Sequence, residues 1–123
     1  MGFPIDDNRP IFVQIAEQIE NDIVDGVVPE ESQVPSTNQF ASYYGINPAT
    51  AAKGVNLLVE QGILYKKRGI GMFVSAGARA ELIGKLRQQF YEQYVVAMIR
   101  EAGKLGITTE QLSEMIRKGD ESR

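Results

Sequence analysis

The sequence predicts a mainly α-helical protein with one small β-hairpin: a winged helix-turn-helix followed by a two-helix C-terminal dimerisation region. Three observations predict this fold. Two capped helices meet at a tight turn around Gly45, two short apolar runs flank the connection KKRGIG at residues 66–71, and a long segment at 78–102 carries two apolar stripes. We expect residues 9–75 to form the winged helix-turn-helix and residues 78–119 to form a short all-helical dimerisation and effector region.

The first helix is predicted to begin near Pro10 and to end near Gly26. Pro10 suits the first helical position because its φ is fixed and it lacks an N–H, and Pro29 forbids continuation of the helix. Isoleucines recur every four residues on one side of this segment, and polar or acidic residues fill the other. The helix is therefore expected to bury one face.

The second and third helices each begin with a cap. Ser36 and Gln39 form an S-x-x-Q capping box, and Gly45 ends this second helix. The third helix has Asn47, a favoured N-cap, followed by Pro48 at the first helical position. Two capped helices separated by a glycine-containing turn are typical of a helix-turn-helix.

One side of the third helix is predicted to be core, since Ala51, Val55 and Leu58 fall on one face. The opposite face presents short polar side chains and a single charge, Lys53. Small side chains allow a helix to lie deep in the major groove, where Thr and Lys can contact base edges. The alternative interpretation is that this is simply a core helix of a small bundle.

The next segment is predicted to be a β-hairpin, with apolar strands at 63–65 and 72–74 and a basic tip between them. A hairpin directly after a helix-turn-helix is a wing, and the tip cations would contact phosphates. The alternative is a solvated turn. The predicted DNA-binding residues are Ser36, Thr37, Asn38, Asn47, Thr50, Lys53, Asn56, Lys66, Lys67, Arg68 and Gly69.

Two neighbouring apolar stripes follow the predicted long helix at 78–102, and Thr108 with Gln111 forms a second capping box for a short last helix. The apolar surface is wider than one neighbouring helix can cover, so we expect it to dimerise. The alternative is that both stripes pack inside one subunit. The predicted dimerisation residues are Leu82, Ile83, Leu86, Phe90, Tyr91, Tyr94, Val95 and Met98.

Composition excludes most enzyme classes. The 123 residues include no cysteine and no histidine, which rules out disulfides, zinc sites of Cys/His type and His-activated nucleophiles. We therefore expect no enzymatic activity, no cofactor and no metal site. No apolar run reaches the roughly 20 residues that a transmembrane helix requires, and no secretory leader opens the chain, so a cytoplasmic protein is expected.

The charge is segregated along the chain, although the formal net charge is −3. Residues 1–42 carry eight acidic residues and one basic residue, whereas residues 43–79 have a net charge of +4 and residues 80–123 are neutral. The basic middle third coincides with the third helix and the wing. This placement favours a surface that faces phosphates.

The order of these features resembles a known family. The runs PIFVQIAEQIENDIVDGVV (10–28) and VPSTNQFASYYGINPATAAKGVNLLVEQGILYKKRGIGMFV (34–74) resemble the N-terminal winged helix-turn-helix of GntR-type bacterial transcription regulators. The INPxT start of the third helix and the short C-terminal part resemble the YtrA subfamily. The resemblance implies a DNA-binding protein with contacts at these positions: Ser36, Thr37, Thr50, Lys53, Lys67, Arg68 and Gly69.

Two positions depart from the family pattern, and both reduce charge at the expected interface. Asn38 stands where Arg is common, and Ala52 stands where a polar or basic residue is frequent. The operator sequence therefore cannot be transferred from relatives. Members of the YtrA subfamily commonly repress ABC-transporter operons, so the resemblance implies a repressor of that kind.

The expected partners are double-stranded DNA and a second copy of the chain. Two tethered winged helices would read a palindrome with half-sites about one helical turn apart. Whether a small-molecule effector exists is left open. Two C-terminal helices cannot enclose a pocket of roughly 300 Å³ or more, so any ligand would sit at the dimer interface or between these helices and the winged helix. The alternative function is a winged-helix adaptor that binds proteins without direct DNA readout.

Overall fold

A computed structural model describes residues 8–123 and divides the chain into two compact units, the first ending at Ile83 and the second beginning at Gly84. The first unit contains α1 (Ile11–Val24), α2 (Thr37–Tyr44), α3 (Pro48–Glu60), β1 (Leu64–Lys67) and β2 (Gly71–Val74). Helix α4 (Ala78–Phe90) begins in the first unit and continues into the second. A π-helical turn (Tyr91–Val95), α5 (Val96–Lys104) and α6 (Thr109–Glu121) complete the second unit. The mainly helical fold with one antiparallel hairpin is as predicted.

The core of the first unit is formed by the apolar face of α1 against α3, closed by the hairpin. Ile15 and Ile23 of α1 are fully buried with Val55 and Leu58 of α3, as their spacing predicted. Gly54 of α3 lies against the backbone of α1. A Cβ atom at this position would lie 2.7 Å from the main-chain oxygen of Phe12, so only glycine fits without displacement of α1.

The predicted helix caps are confirmed. In α2 the Ser36 hydroxyl accepts from the Gln39 amide at 3.1 Å, and the Gln39 side chain accepts from the Ser36 amide at 2.7 Å. Thr108 and Gln111 form the same reciprocal pair at the start of α6. Helix α3 begins with Asn47, whose side-chain oxygen accepts from the Ala49 amide at 2.7 Å. Capping is local in sequence, which makes it predictable from spacing alone.

The N-terminus of helix α4 is capped by a residue that lies far away in the sequence. The carboxylate of Glu30 accepts hydrogen bonds from the amides of Gly77 at 3.0 Å and Arg79 at 3.1 Å. These two backbone hydrogen bonds lower the pKa of Glu30 below its ordinary value, because they stabilise the charged form. No sequence motif marks this cap, since 47 residues separate Glu30 from Gly77.

The long C-terminal helix is not uniform, which the sequence analysis missed. The Val96 amide donates to the Tyr91 carbonyl across five residues, which defines the π-helical turn. The apolar stripe that includes Leu82, Leu86 and Phe90 repeats every four residues, and such a stripe drifts by about 40° per step around an ideal α-helix. A π-helical turn contains more residues than an α-helical turn, which acts against this drift.

The second unit leaves much of its apolar surface uncovered. Phe90, Tyr91 and Tyr94 are each more than half exposed, and so are Met115 and Ile116 of α6. Among the described residues of α6 none is buried. Leu82, which we predicted to be a dimerisation residue, is instead 1% exposed in the core of the first unit, so its side chain is not available to a partner.

Candidate nucleic-acid interface

The start of α2 presents polar groups that remain able to bind a ligand. The Ser36 side-chain oxygen accepts one backbone hydrogen bond as the N-cap, and its hydroxyl proton stays available for donation. Asn38 is exposed and Thr37 is half-buried in the first turn. The structure thus places these three predicted residues at one helix terminus, where amide groups and the helix dipole favour an anion.

Helix α3 exposes the predicted polar face. Lys53 and Asn56 are exposed, whereas Thr50 is half-buried beside the buried Ala51. The Asn47 side-chain oxygen is committed to the cap, which leaves its NH₂ group as a donor.

A groove of about 440 Å³ runs along the exposed side of α3. Its walls include Lys53 and Asn56, together with Phe12 from α1. Ala49 and Ala52 form part of the same surface, so the absence of a long side chain at position 52 leaves the groove open.

Phe12 positions Lys53, the one basic residue of α3, which the sequence analysis missed. The Lys53 ammonium lies 4.2 Å from the centroid of the Phe12 ring, within the range of a cation–π interaction. Such a contact contributes about 0.5–1 kcal/mol at an exposed site. Its sequence signal is weak, because Phe12 looks like one more apolar residue of α1.

The wing differs from its prediction in one respect: its strands extend into the basic segment. Lys66 pairs with Met72 and Lys67 pairs with Gly71 in the antiparallel register, so both lysines belong to β1 and not to the tip. Side chains alternate between the two faces of a strand, so these neighbours point in opposite directions. The three consecutive cations therefore do not form one continuous patch.

The two faces of the wing give its cations different surroundings. The Lys67 ammonium lies over the Phe73 ring, 4.4 Å from its centroid. Lys66 is exposed on the face that carries the buried Leu64 and Val74 side chains. Arg68, Gly69 and Ile70 form the turn, closed by a hydrogen bond from the Ile70 amide to the Lys67 carbonyl at 2.9 Å.

The turn is narrow and its apex is accessible. Gly69 adopts a φ of 78°, a left-handed conformation that favours glycine and permits close approach of another molecule. Ile70 is 64% exposed at the apex of the turn.

Residues 31–34 support the wing as a third strand-like segment, which the sequence analysis also missed. The Val34 amide donates to the Met72 carbonyl at 2.9 Å, and the Glu31 amide donates to the Val74 carbonyl at 2.8 Å. The Gln33 side chain donates to the Ile70 carbonyl at 3.0 Å. Pairing over about 40 residues leaves no local signal in the sequence.

Among the described residues, no acid forms an ion pair with the cations of the candidate interface. Within residues 8–123 no salt bridge includes Lys53, Lys66, Lys67 or Arg68. Their charges are therefore free to attract phosphate. The same part of the chain contains no cluster of three potential metal ligands, and none of its helices is long and apolar enough to cross a membrane.

Comparison with known proteins connects this geometry to a family. Residues 12–74, which span α1 to β2, match the family described as "Bacterial regulatory proteins, gntR family". The chain is 28% identical to the HTH-type transcriptional repressor YtrA of Bacillus subtilis over 111 residues, which cover 90% of this chain and 85% of the relative.

Two solved structures are also similar. A GntR-family transcriptional regulator from Bacteroides thetaiotaomicron has 34% sequence identity and a TM-score of 0.74, with 91% of this chain and 97% of that chain covered. The AraR DNA-binding domain in complex with operator ORX1 has 29% identity and a TM-score of 0.53, covering 61% of this chain and 92% of that chain.

Proposed function

Because this chain belongs to the GntR family of bacterial regulatory proteins, we propose that it represses transcription by binding a palindromic operator as a homodimer in the bacterial cytoplasm. The family consists of transcription regulators, which confirms the expectation that the chain is not an enzyme. The similarity to the repressor YtrA supports repression. The resemblance to the YtrA subfamily implies an ABC-transporter operon as the proposed target.

One observation carries the DNA-binding part of the proposal: the first unit exposes α3 and the basic wing, and none of the salt bridges among the described residues includes their cations. The exposed Lys53 and Asn56 of α3 would reach base edges in the major groove. Lys67, Arg68 and the backbone of Gly69 would contact the adjacent phosphates, and Lys66 would contribute charge from the other face of the wing. Ser36, Thr37 and Asn38 would hold a phosphate at the start of α2, and Thr50 and Asn47 would do so at the start of α3.

The homodimer is supported by the uncovered apolar surface of the second unit. Phe90 and Tyr94 have ring centroids 5.4 Å apart and form an exposed aromatic pair. A patch of this kind marks an interaction site on a soluble protein. We propose that the dimer interface includes this pair with Tyr91, Val95 and Met98, and that Ile83 and Leu86 lie at its edge. Leu82 is excluded because it is buried.

The DNA-binding proposal is tested by titrating a fluorescent duplex of the chain's own promoter at several salt concentrations. Affinity should fall steeply with salt, because each neutralised phosphate contributes about −0.9 to the slope of log K against log salt. Lys67→Ala with Arg68→Ala should flatten the slope by about 2 per subunit. Lys118→Ala, which removes an exposed cation of α6, should leave the slope unchanged.

Two results would contradict the proposal. A salt-independent affinity, or equal affinity for promoter and scrambled duplex, would contradict sequence-specific DNA binding and would favour the adaptor function. Sedimentation equilibrium tests the dimer separately: Tyr94→Asp should shift the protein to monomer, whereas Arg100→Asp, at an exposed cation of α5, should not. An unchanged dimer in Tyr94→Asp would place the interface elsewhere.

A further inference from the structure

A second concave site lies inside the first unit, and it shares no lining residue with the groove on α3. It is a cavity of about 500 Å³ between α1, α2 and the segment that joins them, within the size range of small-molecule pockets. Ile19, Val34 and Phe40 are buried and form its apolar floor. Tyr43 and Val27 lie at its accessible rim, 55% and 70% exposed.

Aromatic rings form one wall of the cavity. The Tyr43 and Tyr44 rings meet edge to face, with centroids 4.9 Å apart and planes at 81°. The Phe40 ring is stacked on Tyr44 at 6.2 Å. Differently oriented rings around a space offer both apolar contact and negatively polarised ring faces, which attract organic cations.

Asp22 is the one charged residue among the described residues that line this cavity. Its carboxylate accepts a hydrogen bond from the Gln18 side chain at 3.0 Å, and a carboxylate has acceptor capacity for several more. In addition, the first 42 residues of the sequence have a net charge of −7. Burial, and then the Asp22 charge, raise the pKa of Tyr44, so the carboxylate acts electrostatically on the aromatic wall.

We propose that this cavity binds a small hydrophobic cation, of the alkylammonium or arylammonium class, between the aromatic wall and the Asp22 carboxylate. An anion would be repelled by the Asp22 carboxylate. A neutral apolar molecule would gain the ring contacts but would cover the carboxylate without compensation. A hydrophobic cation satisfies both the rings and the charge.

The site is coupled to the proposed DNA interface through Gln39. This residue lines the cavity, and its side chain also accepts the Ser36 amide hydrogen bond that caps α2. A bound cation that displaces the Gln39 side chain weakens the cap and loosens the segment holding Ser36 and Asn38. Occupancy therefore lowers duplex affinity. This regulatory part rests on the proposed function, whereas cation binding does not.

Isothermal titration calorimetry of the full chain with benzyltrimethylammonium chloride tests the site without DNA. Asp22→Asn keeps an acceptor for Gln18 but removes the charge, and should weaken binding about fivefold. Tyr43→Ala, at the exposed rim, should weaken it about threefold. The matched control Asp25→Asn removes an exposed carboxylate outside the cavity and should leave affinity unchanged. Circular dichroism confirms that each variant is folded.

Three outcomes would overturn the proposed cation site. Benzoate could bind as tightly as the cation, the Asp22→Asn variant could bind the cation as tightly as the parent, or the titration could show no heat of binding. If a second copy of the chain covers the cavity, the titration is silent and Tyr43→Ala changes the sedimentation coefficient.

The coupling is read from duplex affinity with and without the cation. A decrease of about threefold or more in the parent, absent in Asp22→Asn, supports it, and an unchanged affinity despite calorimetric binding overturns it. If no duplex binds even without the cation, the proposed function fails while the calorimetry still decides the site.

Discussion

Gly54→Ala tests whether the close crossing of α1 and α3 determines the stability of the first unit. The new Cβ atom would lie 2.7 Å from the Phe12 carbonyl oxygen and 3.1 Å from two carbon atoms of Ile15. Ordinary contacts begin at 3.4 Å, and the nearest atom belongs to the backbone, so it cannot rotate away. Helix α1 must therefore move.

The expected change in the free energy of unfolding for Gly54→Ala is the difference between two opposing contributions. Alanine stabilises a helix by about 1 kcal/mol relative to glycine. Overpacking in a well-packed core costs about 1–3 kcal/mol. We therefore expect a net destabilisation of up to about 2 kcal/mol, together with weaker duplex binding because α3 carries Lys53.

Urea denaturation followed by circular dichroism at constant protein concentration measures the effect. Gly84→Ala is the matched control, because Gly84 lies in α4 and a Cβ there would meet no atom within 4 Å. This control should gain about 0.5–1 kcal/mol from helix propensity alone. If Gly54→Ala is stabilised to the same degree as the control, the crossing is looser than described and the reasoning fails.

Three further predictions follow from single contacts. Glu30→Gln should lower stability at neutral pH, because the lowered pKa makes the stabilising contribution of the Glu30 carboxylate complete above about pH 4.5. That contribution is lost as the pH falls through the lower folded pKa, so the urea midpoints of parent and variant should converge in acid. Phe12→Leu with Lys53→Ala should give a duplex-binding coupling energy of about 0.5–1 kcal/mol in a double-mutant cycle, and simple additivity would contradict the cation–π contact. Gln33→Ala should cost about 0.5–1.5 kcal/mol and accelerate amide hydrogen exchange in β2, and unchanged exchange would mean that this side chain does not support the wing.

The sequence is informative wherever the determining contacts are local. The capping boxes at Ser36 and Thr108, the turn at Gly45 and the buried stripe of α1 all depend on residues within a few positions of one another, and each is confirmed. Because these elements also follow one another in a characteristic order, their succession along the chain is sufficient to indicate the family.

The features that the sequence analysis missed depend on distant partners or on small departures from ideal periodicity. The Glu30 cap of α4 and the pairing of residues 31–34 with β2 join segments about 40 residues or more apart. The π-helical turn lies within a four-residue apolar repeat that looks like an ordinary helical stripe in the sequence. Leu82 was assigned to the partner because an apolar stripe does not reveal which molecule covers it.

In the candidate DNA interface, too, the secondary-structure elements could be predicted from the sequence, whereas some side-chain placements could not. Its elements were predicted, but the opposite directions of Lys66 and Lys67 depend on where β1 ends, and strand ends are weakly specified by sequence. The placement of Phe12 beside Lys53 depends on the helix crossing at Gly54.

The support of β2 by residues 31–34 has a consequence for the thermodynamics of association. Ordering a flexible segment of backbone costs roughly 1–2 kcal/mol per residue. If the hairpin were disordered before binding, this cost would reduce the free energy of binding to a duplex. Here the hydrogen bonds from Val34 and Gln33 hold the wing in place beforehand. Little backbone entropy is then lost on association, so a few cations can suffice for binding and the association rate need not wait for the wing to fold.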